Sequence, residues 1–316
     1  MRIFSTWKLP DHVLSNLEDN GFDVVQNDTG DLLSHVSLRE RCTGFDGIIS
    51  LLNDRIDRGI MEQNSELKIV ANVAVGYDNI DVQYAPEIDI TVTNTPDILT
   101  AATADLTMAL FLSVVRLTVA GDRFMRERKF TGWRPDLFVG MDLQGAVIGI
   151  FGMGKIGRAV AQRMNSFGCK ILYHNRHRIN RENESGAEYV SFEDLLTRSD
   201  AIIVLSPLTP ETRNRFGNDE FEKMKDRAVL INVGRGPIVS EAALVKALKS
   251  GKLSGAGMDV YEKEPIVNEQ LYGLENVVLL PHIGSAGKKT REDMFALAAE
   301  NVIAVLSGKS PLTPVK

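Results

Sequence analysis

Two groups of residues in the second half of the 316-residue chain have types and spacings that could do chemistry. The first is Gly152-Met153-Gly154-Lys155-Ile156-Gly157, which fits the spacing G-x-G-x-x-G. In a chain with 26 glycines the spacing alone says little, but residues 147–151 read as a buried strand before it and residues 158–167 as a helix after it. In that setting Gly152 makes a tight turn, Gly154 lets the backbone approach a pyrophosphate, and Gly157 lets the helix pack closely on the strand. The helix N-terminus then faces the anion with unpaired N–H groups. The second group is Arg235, Glu264 and His282, which lie at or just beyond the apolar runs 229–233, 258–261 and 277–280. Each falls in a loop at the C-terminal end of a buried strand, where α/β sheets bind ligands. Singly they read as a surface ion pair, a solvated turn residue and a capping histidine. Together they are a cation, a carboxylate and an imidazole, the types that hold an anion and move a proton.

In dinucleotide-binding folds an acidic side chain roughly 20 residues beyond the glycine loop takes the adenosine ribose 2′-hydroxyl. The segment here is Tyr173-His174-Asn175-Arg176-His177-Arg178, with no carboxylate. Asn175 does not repel a 2′-phosphate, and the Arg176 guanidinium is a planar cationic fork suited to one. NADP(H) is therefore expected in preference to NAD(H).

The elements that must position these residues alternate between short β-type runs and amphipathic helical stretches, the rhythm of parallel sheets with helices on both faces. Strands are predicted over 1–6, 22–26, 47–51, 68–73 and 91–93, then over 146–151, 170–173, 201–205, 228–233, 255–259 and 277–280. About eleven strands exceed the usual size of one open sheet, so two α/β domains are expected. A helix is predicted over 11–20, with Asp11 as N-cap and Gly21 as stop, and a single long helix over 99–119. A hydrophobic fraction of 44% with 25% charged residues describes a folded protein, and a net charge of −6 argues against a broad nucleic-acid or membrane-binding surface. Cys42 and Cys169 stand far apart, so neither a disulfide framework nor a CxxC metal site is expected. The N-terminal residues lack the pattern of a signal peptide, and the most apolar helical stretch, 106–120, is interrupted by Arg116 and shorter than the roughly 20 residues of a membrane span. A cytoplasmic protein is expected.

Asn232-Val233-Gly234-Arg235-Gly236, Met258-Asp259-Val260-Tyr261-Glu262-Lys263-Glu264-Pro265 and Leu280-Pro281-His282-Ile283-Gly284-Ser285-Ala286 resemble the arginine, glutamate and histidine signatures of the D-isomer-specific 2-hydroxyacid dehydrogenases. Val75-Gly76-Tyr77-Asp78-Asn79-Ile80-Asp81, Asn94-Thr95-Pro96, Ala102-Thr103-Ala104-Asp105-Leu106 and Pro207-Leu208-Thr209-Pro210-Glu211-Thr212 match as well, so the resemblance covers essentially the whole chain. It implies NAD(P)H-dependent reduction of a small 2-oxo acid to the D-2-hydroxy acid. Glyoxylate or hydroxypyruvate is the first expectation, and a 2-ketogluconate reductase or a D-3-phosphoglycerate dehydrogenase without regulatory domain the alternatives. A coenzyme-sensing corepressor is the reading from a different class. Arg235 would hold the substrate carboxylate and polarise the carbonyl, His282 would donate the proton, and Glu264 would fix the imidazole tautomer. Asp259 would orient the nicotinamide carboxamide. Thr103, Pro207, Thr212, Val233 and Gly234 would join Gly152 to Gly157, Asn175 and Arg176 at the coenzyme. The N–H groups of Val75 and Gly76 would bind the substrate carboxylate, with Leu51, Leu52, Asn53, Trp133 and Ser285 shaping the pocket.

The resemblance also implies two Rossmann-like or flavodoxin-like domains with the active site in the cleft between them. Residues 1–98 with 286–316 would bind substrate and 99–285 coenzyme. Residues 116–145 look like the family's arm, which implies a homodimer.

Overall fold

The computed structural model describes residues 1–180 and 186–315 and divides the chain into two compact units, Met1–Leu99 with Gly287–Lys316, and Thr100–Ala286. In the first unit, β1 (Arg2–Ser5), β2 (Asp23–Gln26), β3 (Gly47–Ser50), β4 (Ile69–Asn72) and β5 (Thr91–Thr93) form a parallel sheet in the order β2-β1-β3-β4-β5. This is a flavodoxin-like order. β3 and β4 are buried along their whole length, as central parallel strands covered on both faces must be. Phe4, Ile48, Val70 and Val92 face one core with Leu38, Ile60 and Met61. Helix α11 (Lys288–Leu306) packs on β3 and β4. Gly47 leaves room for it, since a β-carbon there would meet Val302 and Leu306. Helix α1 (Asp11–Asp19) buries Val13 and Leu17, one turn apart, and ends as expected at Gly21, where φ is +82°. Its N-cap is Pro10 and not Asp11, which is the first helical residue and contributes a charge to the first turn instead.

In the second unit, β6 (Val147–Phe151), β7 (Lys170–His174), β8 (Glu188–Tyr189), β9 (Ala201–Val204), β10 (Ala228–Asn232), β11 (Leu253–Met258) and β12 (Val277–Leu279) form a parallel sheet. Its order, β12-β11-β10-β9-β6-β7-β8, reverses direction between β6 and β9, the crevice where doubly wound sheets bind dinucleotides. Alternate residues feed opposite cores. Phe151, Leu172, Ile202, Val204 and Leu230 point to one side, and Ile148, Ile150, Ile171, Tyr173, Ile203 and Ile231 to the other.

Besides the cap of α1, the structure departs from expectation at three further places. The long helix predicted over 99–119 is two, α4 (Thr100–Val115) and α5 (Thr118–Arg126), bent by 64° at Leu117. Leu117 adopts φ +54°, a conformation that leucine rarely takes and that hydrophobic periodicity does not signal. The two-residue edge strand β8 has no apolar run and was not predicted. Helix α6 (Lys155–Ser166) begins three residues before the predicted start, so its first turn lies inside the glycine motif. Among the described residues no single helix is long and apolar enough to cross a membrane; α4 and α5 would reach that length only as a bent pair, and α4 is a core helix with Leu110, Phe111 and Val114 buried.

Candidate active site

The loops after β6, β9 and β10 lie side by side at the C-terminal edge of the seven-stranded sheet. Gly152, at φ +109°, passes so close to the next loop that a β-carbon would stand 2.5 Å from the Ser206 nitrogen. Gly157 presses its α-carbon against the Gly152 carbonyl, the helix-to-loop packing its place in the motif requires. Gly154 is the opposite case. It is the N-cap of α6, no side chain caps the helix, and a β-carbon there would meet no protein atom within 4 Å. This open, uncapped helix start suits a pyrophosphate. Lys155 and Ile156 open the helix, whereas Met153 turns inward, with its side chain in the core and its N–H donating to Asn175 Oδ1 at 2.6 Å. Asn175 thus anchors the glycine loop to the end of β7. Arg176 is exposed beside it, and its charge reaches Glu211. Hydrogen bonds from Thr209 and its own backbone, with a smaller contribution from Arg176, hold the Glu211 carboxyl below its ordinary value. In the same turn, Thr212 Oγ1 donates to the Pro207 carbonyl at 2.9 Å.

Arg235 follows β10 and is half-buried. Its loop is braced by fully buried Asn232, whose Nδ2 donates to the Arg235 carbonyl at 3.1 Å while Oδ1 accepts from the Gly234 N–H at 3.1 Å. Arg235 Nη1 donates to the Gly234 carbonyl at 3.0 Å. Gly234 in turn sits against the Val204 and Ser206 carbonyls, where a β-carbon would be tightly pressed at 3.2 and 3.0 Å.

His282 lies in the loop after β12 with φ +54°. Holding a non-glycine residue there costs roughly 1–2 kcal/mol. Asp259, at the end of β11 and almost fully buried, holds the turn in place: Oδ1 accepts from the Ile283 N–H at 2.8 Å and Oδ2 from the Gly284 N–H at 2.9 Å. Charge-assisted bonds of this kind contribute about 1.5–3 kcal/mol each, enough to offset the strain. Burial raises the Asp259 carboxyl above its ordinary value, opposed by those two N–H groups and by His282. Thr103, Val233 and Asp259 stand around Gly284, so three of the expected coenzyme-site residues gather at this turn.

Glu264 receives the Tyr261 N–H on Oε1 at 2.9 Å, and its Oε2 lies 2.7 Å from His282 Nδ1. Burial would raise this carboxyl, but the bond and charge of His282, the Tyr261 N–H and the charge of Arg235 together hold it below its ordinary value. With Nδ1 engaged by Glu264, Nε2 is the nitrogen left to exchange a proton. Arg235, Glu264 and His282 are thus gathered at one sheet edge. Ser285 is half-buried just beyond.

In the first unit, Val75 and Gly76 follow β4. Asn94 Nδ2 donates to the Val75 carbonyl at 2.8 Å and Asn72 Nδ2 to the Gly76 carbonyl at 2.9 Å, and neither residue's N–H has an acceptor among the described residues. With their carbonyls tied back, these two amides stand as main-chain donors, the kind of group that suits an anion. Asn79 Nδ2 reaches the carbonyls of Leu51 and Asp54 at 3.2 and 2.9 Å, and buried Asp54 accepts from the Leu51 N–H at 2.7 Å and from the Thr6 hydroxyl. This network joins the loop of Leu51, Leu52 and Asn53 to that of Val75 and Gly76. Sequence reasoning placed Asn94 and Asn232 only as members of signatures, without these roles, and did not single out Asn72 or Asp54; the available signal was a polar residue near the end of a buried apolar run.

The fold and these signatures define a dehydrogenase, and the chain belongs to the D-isomer specific 2-hydroxyacid dehydrogenases, whose NAD binding domain profile matches residues 108–284. The glyoxylate reductase of Pyrococcus horikoshii is 44% identical over 319 aligned residues, covering 99% of this chain and 95% of that protein. Among solved structures, the TT0316 protein of Thermus thermophilus superposes with a TM-score of 0.94 at 42% identity, covering all of both chains. An NADPH-dependent glyoxylate/hydroxypyruvate reductase from Sinorhizobium meliloti, in complex with NADP and malonate, superposes at 0.86 with 36% identity over 99% of this chain and 96% of its own.

Proposed function

We propose that the chain reduces glyoxylate and hydroxypyruvate to the corresponding D-2-hydroxy acids with NADPH. The observation that carries this reading is the His282–Glu264 pair at 2.7 Å beside Arg235, in a chain 44% identical to a glyoxylate reductase. The Arg235 guanidinium binds the substrate carboxylate and polarises the neighbouring carbonyl through charge-assisted hydrogen bonds. His282 holds a proton on Nε2 and gives it to the oxygen on C2, while Glu264 keeps Nδ1 protonated and the ring oriented. The N–H groups of Val75 and Gly76 bind carboxylate, which makes the first unit the substrate-binding one, with Leu51, Leu52 and Asn53 of that unit setting the size of the acid accepted. The uncapped start of α6 and the open space at Gly154 fit a dinucleotide. Gly152 to Gly157, Asn175, Arg176, Thr103, Pro207, Thr212, Val233, Gly234 and Asp259 are the residues that hold it. When bound, NADPH supplies the hydride that reduces C2.

Arg176, exposed in a segment without a carboxylate, supports NADP(H) over NAD(H). The exposed arm supports a homodimer: α5 buries no residue, and Phe130, Trp133 and Val139 beyond it are 50%, 83% and 70% exposed. The free thiols of Cys42 and Cys169 fit a cytoplasmic location.

The test is turnover of NADPH and NADH with glyoxylate, hydroxypyruvate, pyruvate and 2-ketogluconate. A higher kcat/KM with NADPH is expected, reduced by Arg176→Ala without loss of NADH turnover; an NADH advantage refutes the preference. His282→Ala should chiefly lower kcat and Arg235→Ala should raise KM as well, and near-normal turnover in either overturns its assignment.

A further inference from the structure

We infer that Glu241 is a positioning residue for this site, acting through Glu264. Glu241 is the first residue of α9 (Glu241–Lys249), in the segment that follows the Arg235 loop. It is only 3% exposed, and a carboxylate so buried must be matched by donors. It is matched by main-chain groups from a different loop: Oε1 accepts from the Glu262 N–H at 2.7 Å and Oε2 from the Asn268 N–H at 2.8 Å. The two donors stand on either side of Glu264, so one rigid carboxylate pins both ends of the segment that presents Glu264 to His282. Gly236 allows the same approach from the other side, because its α-carbon lies directly against the Tyr261 carbonyl. The loops of Arg235 and Glu264 are thereby joined, and a displacement of residues 262–268 would lengthen the 2.7 Å bond on which the imidazole depends.

The proposal rests on the reading of Glu264 as the partner of a proton-donating His282, and the test separates the two. Glu241→Gln keeps the side-chain shape but turns one acceptor into a donor facing an N–H; Glu241→Ala removes both acceptors. Turnover of hydroxypyruvate with NADPH, NADPH affinity and amide hydrogen exchange are measured for both, for Glu264→Gln and for Glu241→Gln/Glu264→Gln. Glu241→Gln should lower kcat roughly tenfold, with NADPH affinity within about twofold of the parent, since misplacing a catalytic group costs turnover before coenzyme binding. In the Glu264→Gln background the same change should have no further effect on kcat. Amides 262 and 268 should exchange faster in both Glu241 variants while those of β10 and β11 stay protected. Unchanged exchange at 262 and 268 overturns the clamp whatever turnover does. Multiplying losses in the double variant overturn its action through Glu264. Normal turnover in Glu264→Gln overturns the reading of Glu264 and with it the positioning role, even where the exchange data uphold the clamp.

Discussion

Replacing Gly236 by alanine is expected to disconnect Glu264 from His282 without touching either side chain. A β-carbon at 236 would stand 2.5 Å from the Tyr261 α-carbon and closer still to its carbonyl, where ordinary contact begins near 3.4 Å. Roughly 1.5 Å of opening is therefore needed to clear the Tyr261 carbonyl, between two stretches of main chain, neither of which can turn aside as a side-chain tip would. Tyr261 cannot move alone, because its N–H is bonded to Glu264 and its hydroxyl to the Leu280 carbonyl at 2.8 Å. A shift of this size takes the 2.7 Å Glu264–His282 bond past hydrogen-bond range. Displacements of about 1 Å at catalytic groups cost on the order of 100-fold in rate, or about 2.7 kcal/mol in the barrier. Overpacking a tight contact costs about 1–3 kcal/mol of stability, which lowers the melting temperature by roughly 2–4 °C per kcal/mol in a domain of this size. The assay pairs steady-state turnover with NADPH affinity and a thermal melt. The expected result is a kcat reduced about 100-fold, a lower melting point and near-normal NADPH affinity. Parent-like kcat in the folded variant would refute the reasoning, because it would mean that the loop spacing does not hold the pair together.

Gly154→Ala reverses the pattern: its φ of −79° suits alanine and the space is empty of protein, so the melting point should hold while NADPH affinity falls at least about tenfold, and unchanged affinity counts against the pyrophosphate site. Asn94→Ala removes the donor on the Val75 carbonyl, so KM for the 2-oxo acid should rise several-fold with NADPH affinity unaltered; an unchanged KM argues against the Val75–Gly76 amides as carboxylate ligands. Burial raises the Asp54 carboxyl above 3.8 despite bonds from Thr6 and Leu51. A raised folded value means stability that is complete below the unfolded value and lost as pH rises through the folded one. Asp54→Asn escapes that loss, so its melting point relative to the parent should climb as pH rises from the ordinary carboxylate range, and a constant difference contradicts the burial argument.

The parts of this site that depend on local spacing were legible in the sequence. The glycine loop announces itself because its three glycines, strand and helix are contiguous, and Arg235, Glu264 and His282 because each ends an apolar run. Strand positions followed for the same reason, and the expected two-sheet α/β class matches the observed five- and seven-stranded parallel sheets. What stayed hidden is whatever joins residues distant in sequence. Glu241 reads as an acidic residue in a first helical turn until its carboxylate is seen on the Glu262 and Asn268 amides. Asp259 was expected at the nicotinamide, and its buttressing of the His282 turn depends on a φ that no spacing reveals. Asn175, expected only at the ribose, also holds the glycine loop through the Met153 N–H.

The most direct test is oxidation of NADPH by the purified chain with glyoxylate and with hydroxypyruvate, run beside His282→Ala. Rapid oxidation with both acids is predicted, yielding D-glycerate from hydroxypyruvate, together with a kcat lower by orders of magnitude in the variant. Absence of oxidation with either acid by folded, NADPH-binding protein, or equal turnover in the variant, would contradict the assignment of His282 and of the reaction.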